Sequence, residues 1–365
     1  VRINPALDLL PVYQPGRPIE EVARELGLPA ADIIKLASNE NPLGPSPRAL
    51  TAMQAAVKQV HLYPDGSAFR LKQKLAAKLG VTPGHLILGN GSNELIEFLG
   101  HALLQPGAEV VVSQYCFAVY PIVTQLFGAK LVTVPARELG HDLAAMQRAI
   151  TPQTAVIFVA NPNNPTGTLA PAQALLDFIA AVPSDVLIAL DEAYVEFLDA
   201  PAEVLPLVRS GQRKNLLLLR TFSKIHGLAG LRLGYGIGDP ECIGALEKIR
   251  QPFNLNSVAQ AAALAALDDA EHVEATRRNN FAGLRCFAEV LPTLGLQFAP
   301  SHANFLLVRV GDGQRAFHAL QRLGVIVRPM GGYGLPEWIR ISIGTPAENQ
   351  RCLEALRQAL AGTAP

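Results

Sequence analysis

Thr154-Ala155-Val156-Ile157-Phe158-Val159-Ala160 runs directly into Asn161-Pro162-Asn163-Asn164-Pro165-Thr166-Gly167, and Val186-Leu187-Ile188-Ala189-Leu190 runs into Asp191-Glu192-Ala193-Tyr194. Neither apolar run alternates with polar residues, the pattern of a strand covered on both faces. From about residue 86 to 240, further β-rich runs alternate with helical patterns: Glu109-Val110-Val111-Val112, Lys130-Leu131-Val132-Thr133-Val134 and Asn215 to Leu219. This predicts an α/β fold, a mainly parallel central sheet wrapped by helices. Open sheets of this kind bind ligands beyond the carboxyl ends of their strands, and each polar motif here begins where an apolar run stops.

With 365 residues, the chain exceeds what one core usually supports, so two domains are expected. A large domain is predicted over residues 35–255. The opening residues, 1–34, carry Pro5, Pro11, Pro15, Pro18 and Pro29 and read as an arm with one short helix from Pro18 to Leu26. Residues 256–365 read as a smaller α+β domain. Its alanine-rich stretch from Val258 and the charged segment to Arg285 look like one long helix, followed by strands near 304–310, 325–328 and 338–343.

Thirty-one basic and thirty-one acidic residues cancel, and no basic run is present, which disfavours nucleic acid and anionic membranes as partners. A small molecule is the expected partner. Cys116, Cys242, Cys286 and Cys352 are scattered, without Cys-x-x-Cys or a helical His pair, so no metal site is expected. Free thiols fit a reducing compartment. With no signal-like stretch at Val1-Arg2-Ile3-Asn4-Pro5 and no apolar run of about eighteen residues, a cytoplasmic location is expected.

Thr221-Phe222-Ser223-Lys224 is followed eight residues later by Arg232 in Leu228-Ala229-Gly230-Leu231-Arg232-Leu233-Gly234-Tyr235. An amine nucleophile beside hydroxyls and a fixed cation suits pyridoxal phosphate, whose aldehyde is held by a lysine as a Schiff base. The same amine can then move a proton at the substrate carbon. A carboxylate must keep the cofactor ring nitrogen protonated, and Asp191, at the end of an apolar strand, fits. A phenol and an amide would tune the imine through the 3-oxygen, and Tyr194 with Asn164 could supply them. Gly89-Asn90-Gly91-Ser92-Asn93-Glu94 ends a short strand and opens an apolar-periodic helix, the context of an anion-binding helix start. Thr221, Ser223 and Arg232 would complete that pocket. Taken singly, each motif also reads as ordinary turn or capping chemistry; jointly they point to one cofactor.

These residues resemble fold-type I pyridoxal-phosphate transferases of aminotransferase class II, most closely the histidinol-phosphate aminotransferase family, over essentially the whole chain. The likeness also rests on Tyr13-Gln14-Pro15-Gly16-Arg17-Pro18, Lys35-Leu36-Ala37-Ser38-Asn39-Glu40-Asn41-Pro42, Tyr63-Pro64-Asp65-Gly66 and Trp338-Ile339-Arg340-Ile341-Ser342-Ile343-Gly344. The resemblance implies Lys224 as the Schiff-base lysine, Asp191 as the ring-nitrogen partner, and Asn164 with Tyr194 at the 3-oxygen. It implies phosphate contacts from Ser92 and Asn93 amides, Thr221, Ser223 and Arg232, and an aromatic stack from Phe117. Tyr63 matches a tyrosine that reaches the phosphate from a neighbouring subunit, so a homodimer with shared active sites is implied. Arg340 matches an arginine that binds the substrate's anionic group. Arg328 and the Tyr13 hydroxyl could join it there, because Arg328 and Arg340 end neighbouring strand candidates.

Two departures bear on the substrate. Cys116-Phe117-Ala118-Val119-Tyr120-Pro121 and His226 differ from the commoner family residues, and both are expected near the ring and substrate side. The leading expectation is transfer of an amino group between glutamate and a phosphorylated ketone, imidazole-acetol phosphate, giving histidinol phosphate. An aromatic amino-acid aminotransferase is the first rival. A phosphothreonine decarboxylase and a non-catalytic ligand sensor are further alternatives.

Overall fold

The computed structural model describes Val1, Leu7, Asp8, Leu10 and residues 16–361. A short strand, β1 (Ile34–Lys35), precedes the seven strands of the main sheet: β2 (Leu86–Gly89), β3 (Glu109–Ser113), β4 (Lys130–Val134), β5 (Thr154–Ala160), β6 (Leu187–Asp191), β7 (Leu216–Thr221) and β8 (Gly234–Ile237). Their spatial order is β2-β8-β7-β6-β5-β3-β4. β8 runs antiparallel to both of its neighbours, and the remaining pairs are parallel.

The unbroken apolar runs have the reason inferred from the sequence. Ile157 and Val159 of β5, Ile188 and Leu190 of β6, and Leu216 and Leu218 of β7 enter a core on one face. Val156, Phe158, Leu187, Ala189, Leu217 and Leu219 enter a second core on the other. Helices Phe69–Leu79, Ala172–Ala181 and Ser257–Ala266 close the first, and Gly91–Leu103 with Val119–Leu126 the second.

Because β2, β5, β6 and β7 point the same way, Gly89, Ala160, Asp191 and Thr221 end at one edge of the sheet. β8 starts at that edge, with Gly234 in register between Gly89 and Thr221. Chain segments that are distant in sequence thereby open onto one place.

A second, antiparallel sheet is built from β9 (Gln297–Ala299), β10 (Phe305–Arg309), β12 (Arg328–Pro329) and β13 (Trp338–Ser342), in the order β12-β13-β10-β9. Strand β11 (Val325–Ile326) pairs instead with β1, in parallel. The single strand expected over 325–328 is therefore divided between two sheets. Pro329 has no amide to donate, and it sits on an edge strand, where such a residue is tolerated. The first helix, Ile19–Leu26, packs Val22 and Ala23 into this smaller body's core, as do Leu36 and Ala37.

The long helix expected from Val258 to Arg285 is two helices, Ser257–Ala266 and Ala270–Val290. Asp269 caps the second, accepting from the His272 amide at 3.3 Å, which stops the first within a turn. The alanine helix belongs to the main sheet's core through Ala259, Ala262, Ala263 and Ala266. Among the described residues, no helix is long and apolar enough to cross a membrane, and no group of three metal-ligating side chains is present.

Candidate active site

A cleft of about 410 Å³ lies at the shared edge of the main sheet, between it and the smaller body. From the large body it receives Ser92, Asn93, Phe117, Asn164, Asp191, Tyr194, Thr221, Ser223, Lys224 and Arg232, and from the smaller one Arg328 and Arg340. Tyr63 is not in it: the ring is 83% exposed and stacks on Phe253 at 4.8 Å. Tyr13 lies outside the described residues.

At one end is an anion cradle. Helix Gly91–Leu103 begins at Gly91 with φ +76°, directing the amides of its first turn toward the cleft. Arg232 lies so close that a Cβ on Gly91 would stand 2.6 Å from its guanidinium, and one on Gly234 would stand 2.4 Å from the Ser92 amide nitrogen. Both positions require glycine. Arg232 is braced by donating to the Ala229 carbonyl at 3.0 Å. The Thr221 hydroxyl accepts from the Ser223 amide at 3.1 Å and donates to the Leu233 carbonyl at 3.3 Å, which fixes this turn against β8.

At the other end of the floor, Asp191 is buried. Burial pushes its carboxyl up from the ordinary range, opposed by hydrogen bonds from the Tyr120 hydroxyl at 2.7 Å and the Ala193 amide at 3.1 Å. The Tyr194 hydroxyl accepts from the Asn39 amide at 2.9 Å, and burial raises the phenol to about 12. Arg340 donates to Asn164 Oδ1 at 2.7 Å and to the Ala37 carbonyl at 3.1 Å, with its guanidinium carbon 5.1 Å from the centre of the Phe305 ring. Its Cα is in direct register with that of Arg328 across β12 and β13.

Lys224 projects between these groups, with Nζ donating to the Ser38 carbonyl at 3.2 Å and lying 5.9 Å from the centre of the Tyr194 ring. Desolvation, reinforced by the Arg340 and Arg232 cations and opposed by Glu40 and Asp191, brings its pKa down to about 8. A lysine so placed is a competent nucleophile and proton carrier near neutral pH.

Sequence reasoning assigned no role to three features that the fold brings here. Tyr120 reaches Asp191 across the sheet; its spacing of three from Phe117, at the start of one helix, was the available signal. Asn39, with φ 55°, ties Tyr194 to the smaller body: its side-chain amide donates to the Tyr194 hydroxyl, and its backbone amide donates to Ser342 Oγ at 2.8 Å. Glu192 and Arg220 form a largely buried pair at 2.7 Å beside the ends of β6 and β7. His226 does not line the cleft as expected. Its ring packs on Phe222 at 4.9 Å, and burial, with Lys78 and His272 nearby, holds its pKa down to about 4.

The donor set fits pyridoxal phosphate. A primary amine with a lowered pKa stands between a phosphate cradle shaped by two obligatory glycines and a buried carboxylate at the opposite end.

Comparison with known proteins gives the family. Residues 31–356 match the family described as aminotransferase class I and II. The chain is 54% identical to a histidinol-phosphate aminotransferase of Akkermansia muciniphila over 352 residues, covering 96% of each. It is 53% identical to histidinol-phosphate aminotransferase 2 of Ralstonia nicotianae, over 96% of this chain and 94% of that one. Among solved structures, it is similar to the histidinol-phosphate aminotransferase of Sinorhizobium meliloti in complex with pyridoxal-5'-phosphate. The TM-score is 0.90 and the identity 31%, with 100% of this chain and 98% of that one covered. The chain is a pyridoxal-phosphate-dependent class I and II aminotransferase, and it belongs to the histidinol-phosphate aminotransferase family.

Proposed function

We propose that the protein moves an amino group between glutamate and imidazole-acetol phosphate, producing histidinol phosphate for histidine synthesis in the cytoplasm. The observation that carries the substrate assignment is the register pairing of Arg328 with Arg340 at the cleft, two guanidinium-bearing positions on adjacent strands. A phosphate dianion gains from two charge-assisted contacts, whereas one bidentate arginine suffices for a carboxylate. The unpaired thiols of Cys116, Cys242, Cys286 and Cys352 support a reducing compartment.

Pyridoxal phosphate, when bound, supplies an aldehyde for the substrate amine and a ring that accepts electrons released at the substrate carbon. Lys224 would anchor it through Nζ and, once displaced by the substrate amine, would carry the proton that leaves the substrate carbon. Asp191, buried at the floor, would hold the proton on the ring nitrogen. Tyr194 and Asn164 donate toward the 3-oxygen. Ser92, Asn93, Thr221, Ser223 and Arg232 would bind the phosphate, and Phe117 would stack on the ring. Arg340, Arg328 and Tyr13 bind the substrate's anionic group.

The active unit is proposed to be a homodimer in which Tyr63 serves the other chain's site. Leu43, Leu50, Val57, Val60, Leu62 and Phe69 are exposed along the same stretch of chain as Tyr63, and Phe253 is exposed against its ring. So much apolar surface on one segment suits a second copy. Mixing Lys224→Ala and Tyr63→Phe chains tests this, because a heterodimer carries one native site. An active monomer by light scattering overturns it.

The proposed division is a cofactor-binding domain, residues 35–255, and a small domain from 1–34 and 256–365. Two refinements follow from the cores: residues 35–37 pack with the small body, and the helix at 257–266 stays with the large one, so the chain passes to the small domain near Asp268 and Asp269.

Spectra of the purified protein mixed separately with histidinol phosphate, glutamate and phenylalanine test the reaction. Histidinol phosphate and glutamate should each convert the bound cofactor to its amine form. Conversion by phenylalanine and not by histidinol phosphate would reassign the enzyme to aromatic amino acids.

A further inference from the structure

Tyr120 is wholly buried, yet its hydroxyl is not an idle core group. Its ring is clamped by parallel stacking on Phe158 at 4.4 Å, with the planes 5° apart, and by an edge contact with Phe117 at 5.7 Å. The clamp leaves the hydroxyl aimed at Asp191 Oδ2, 2.7 Å away, while the Ala193 amide holds Oδ1. Each carboxylate oxygen therefore accepts one fixed hydrogen bond, which sets the rotamer of Asp191. The other ionisable groups around Asp191 are Glu192 and Tyr194, in the same segment of chain, and Lys224.

We infer that Tyr120 is a positioning residue, whose hydroxyl keeps the proton shared between Asp191 and the cofactor on the ring nitrogen instead of on the carboxylate. The inference rests on the proposed role of Asp191. In a dry site, a buried carboxylate beside a pyridine-type nitrogen has two forms: an ion pair with the proton on nitrogen, and a neutral pair with the proton on oxygen. Burial favours the neutral pair, and donors to the carboxylate favour the ion pair. Asp191 has two such donors, one from the backbone and one from Tyr120. Removing the hydroxyl leaves burial opposed by the Ala193 amide alone, so the proton shifts toward oxygen and the ring becomes a weaker electron sink. Phe117, which also lines the cleft, makes the edge contact that helps orient the phenol, so both parts of this helix start serve one site.

The test is the nitrogen-15 resonance of ring-labelled pyridoxal phosphate bound to the holoenzyme, read beside the single-turnover rate with glutamate. In the unsubstituted protein the resonance should lie at the protonated position. Tyr120→Phe keeps the ring stack and should move it toward the unprotonated position, with a rate loss of about ten- to a hundredfold, the range of one charge-assisted hydrogen bond. In an Asp191→Asn background the same substitution should change the rate less than about twofold, because the hydroxyl has no carboxylate left to act on. An unmoved resonance in Tyr120→Phe, or the same rate loss in both backgrounds, overturns the inference. If Asp191→Asn alone keeps a protonated ring and a normal rate, it is the Asp191 reading that falls. Should Tyr120→Phe fail to fold, 3-fluorotyrosine at position 120, a stronger donor, replaces it: the ring should stay protonated with the rate maintained, and an unprotonated ring overturns the inference.

Discussion

The floor of the cleft and its rim are built on different principles. On the floor, Ala160, Asp191 and Leu219 lie in register across three parallel strands, and Thr221 continues the third into the turn that carries Lys224. Each group is set by a backbone ladder buried on both faces. The rim comes from elsewhere: Arg328 stands on the edge strand of the smaller sheet and Arg340 on the strand beside it, and that sheet meets the floor largely through the 36–41 segment. There the Ser342 amide donates to the Leu36 carbonyl at 2.9 Å, and Asn304 donates to the Asn39 carbonyl at 3.0 Å. A cofactor retained through every turnover is suited by a rigid seat, while two successive substrates are suited by cations on a body with its own core. Substitutions on the floor should therefore abolish chemistry, and those on the rim should sort substrates.

The largest effect should come from Lys224→Ala. Anchor and proton carrier vanish together, so turnover should fall by roughly four orders of magnitude or more and the visible band of the bound cofactor should disappear. Ordinary turnover would break the floor assignment outright. Asp191→Asn should retain the cofactor, measured by its absorbance after dialysis, and lose roughly 10²- to 10³-fold in rate.

Arg328→Ala addresses the rim. KM for histidinol phosphate should rise about ten- to a hundredfold, and KM for glutamate by no more than about threefold, since a carboxylate in the phosphate's place can be held by Arg340 alone. Equal losses for both substrates would mean that the rim does not sort substrates.

The pH dependence sharpens the floor further. The Lys224 pKa is lowered to about 8 from its ordinary 10.5, so the amine is neutral above about pH 8 and protonated below it. Capture of pyridoxal phosphate by the cofactor-stripped protein, followed by absorbance, should slow about tenfold per unit as pH falls below 8 and level off above it. The unfolded chain binds more protons at this lysine between pH 8 and 10.5, so its contribution to the stability of the stripped protein rises with pH in that window. The smallest effect should be that of Asp269→Ala, at the passage between the two bodies: a loss of about 1 kcal/mol in denaturant melts, with kcat unchanged.

Much of the floor could be read from the chain, because its residues follow directly on apolar runs and their chemistry is local. Lys224 with Arg232, Asp191 with Tyr194, and the helix start at Gly91 are each contained within a few residues. The break at Asp268-Asp269 was overrun by the surrounding helical pattern, although Asp269 is itself a capping residue. His226 was expected at the substrate side from its nearness to Lys224, but the turn buries it on Phe222 instead.

Sequence by itself determined the sheet, the family and the lysine proposed to hold the cofactor, since strand burial, turn chemistry and motif spacing are properties of short segments. Only the tertiary structure decided that Tyr120 meets Asp191, that Asn39 links Tyr194 to Ser342, and that Arg328 stands opposite Arg340. The first two contacts join residues far apart in the chain, and the third depends on which strands pair. Their geometry follows from strand order and register, which no local pattern encodes.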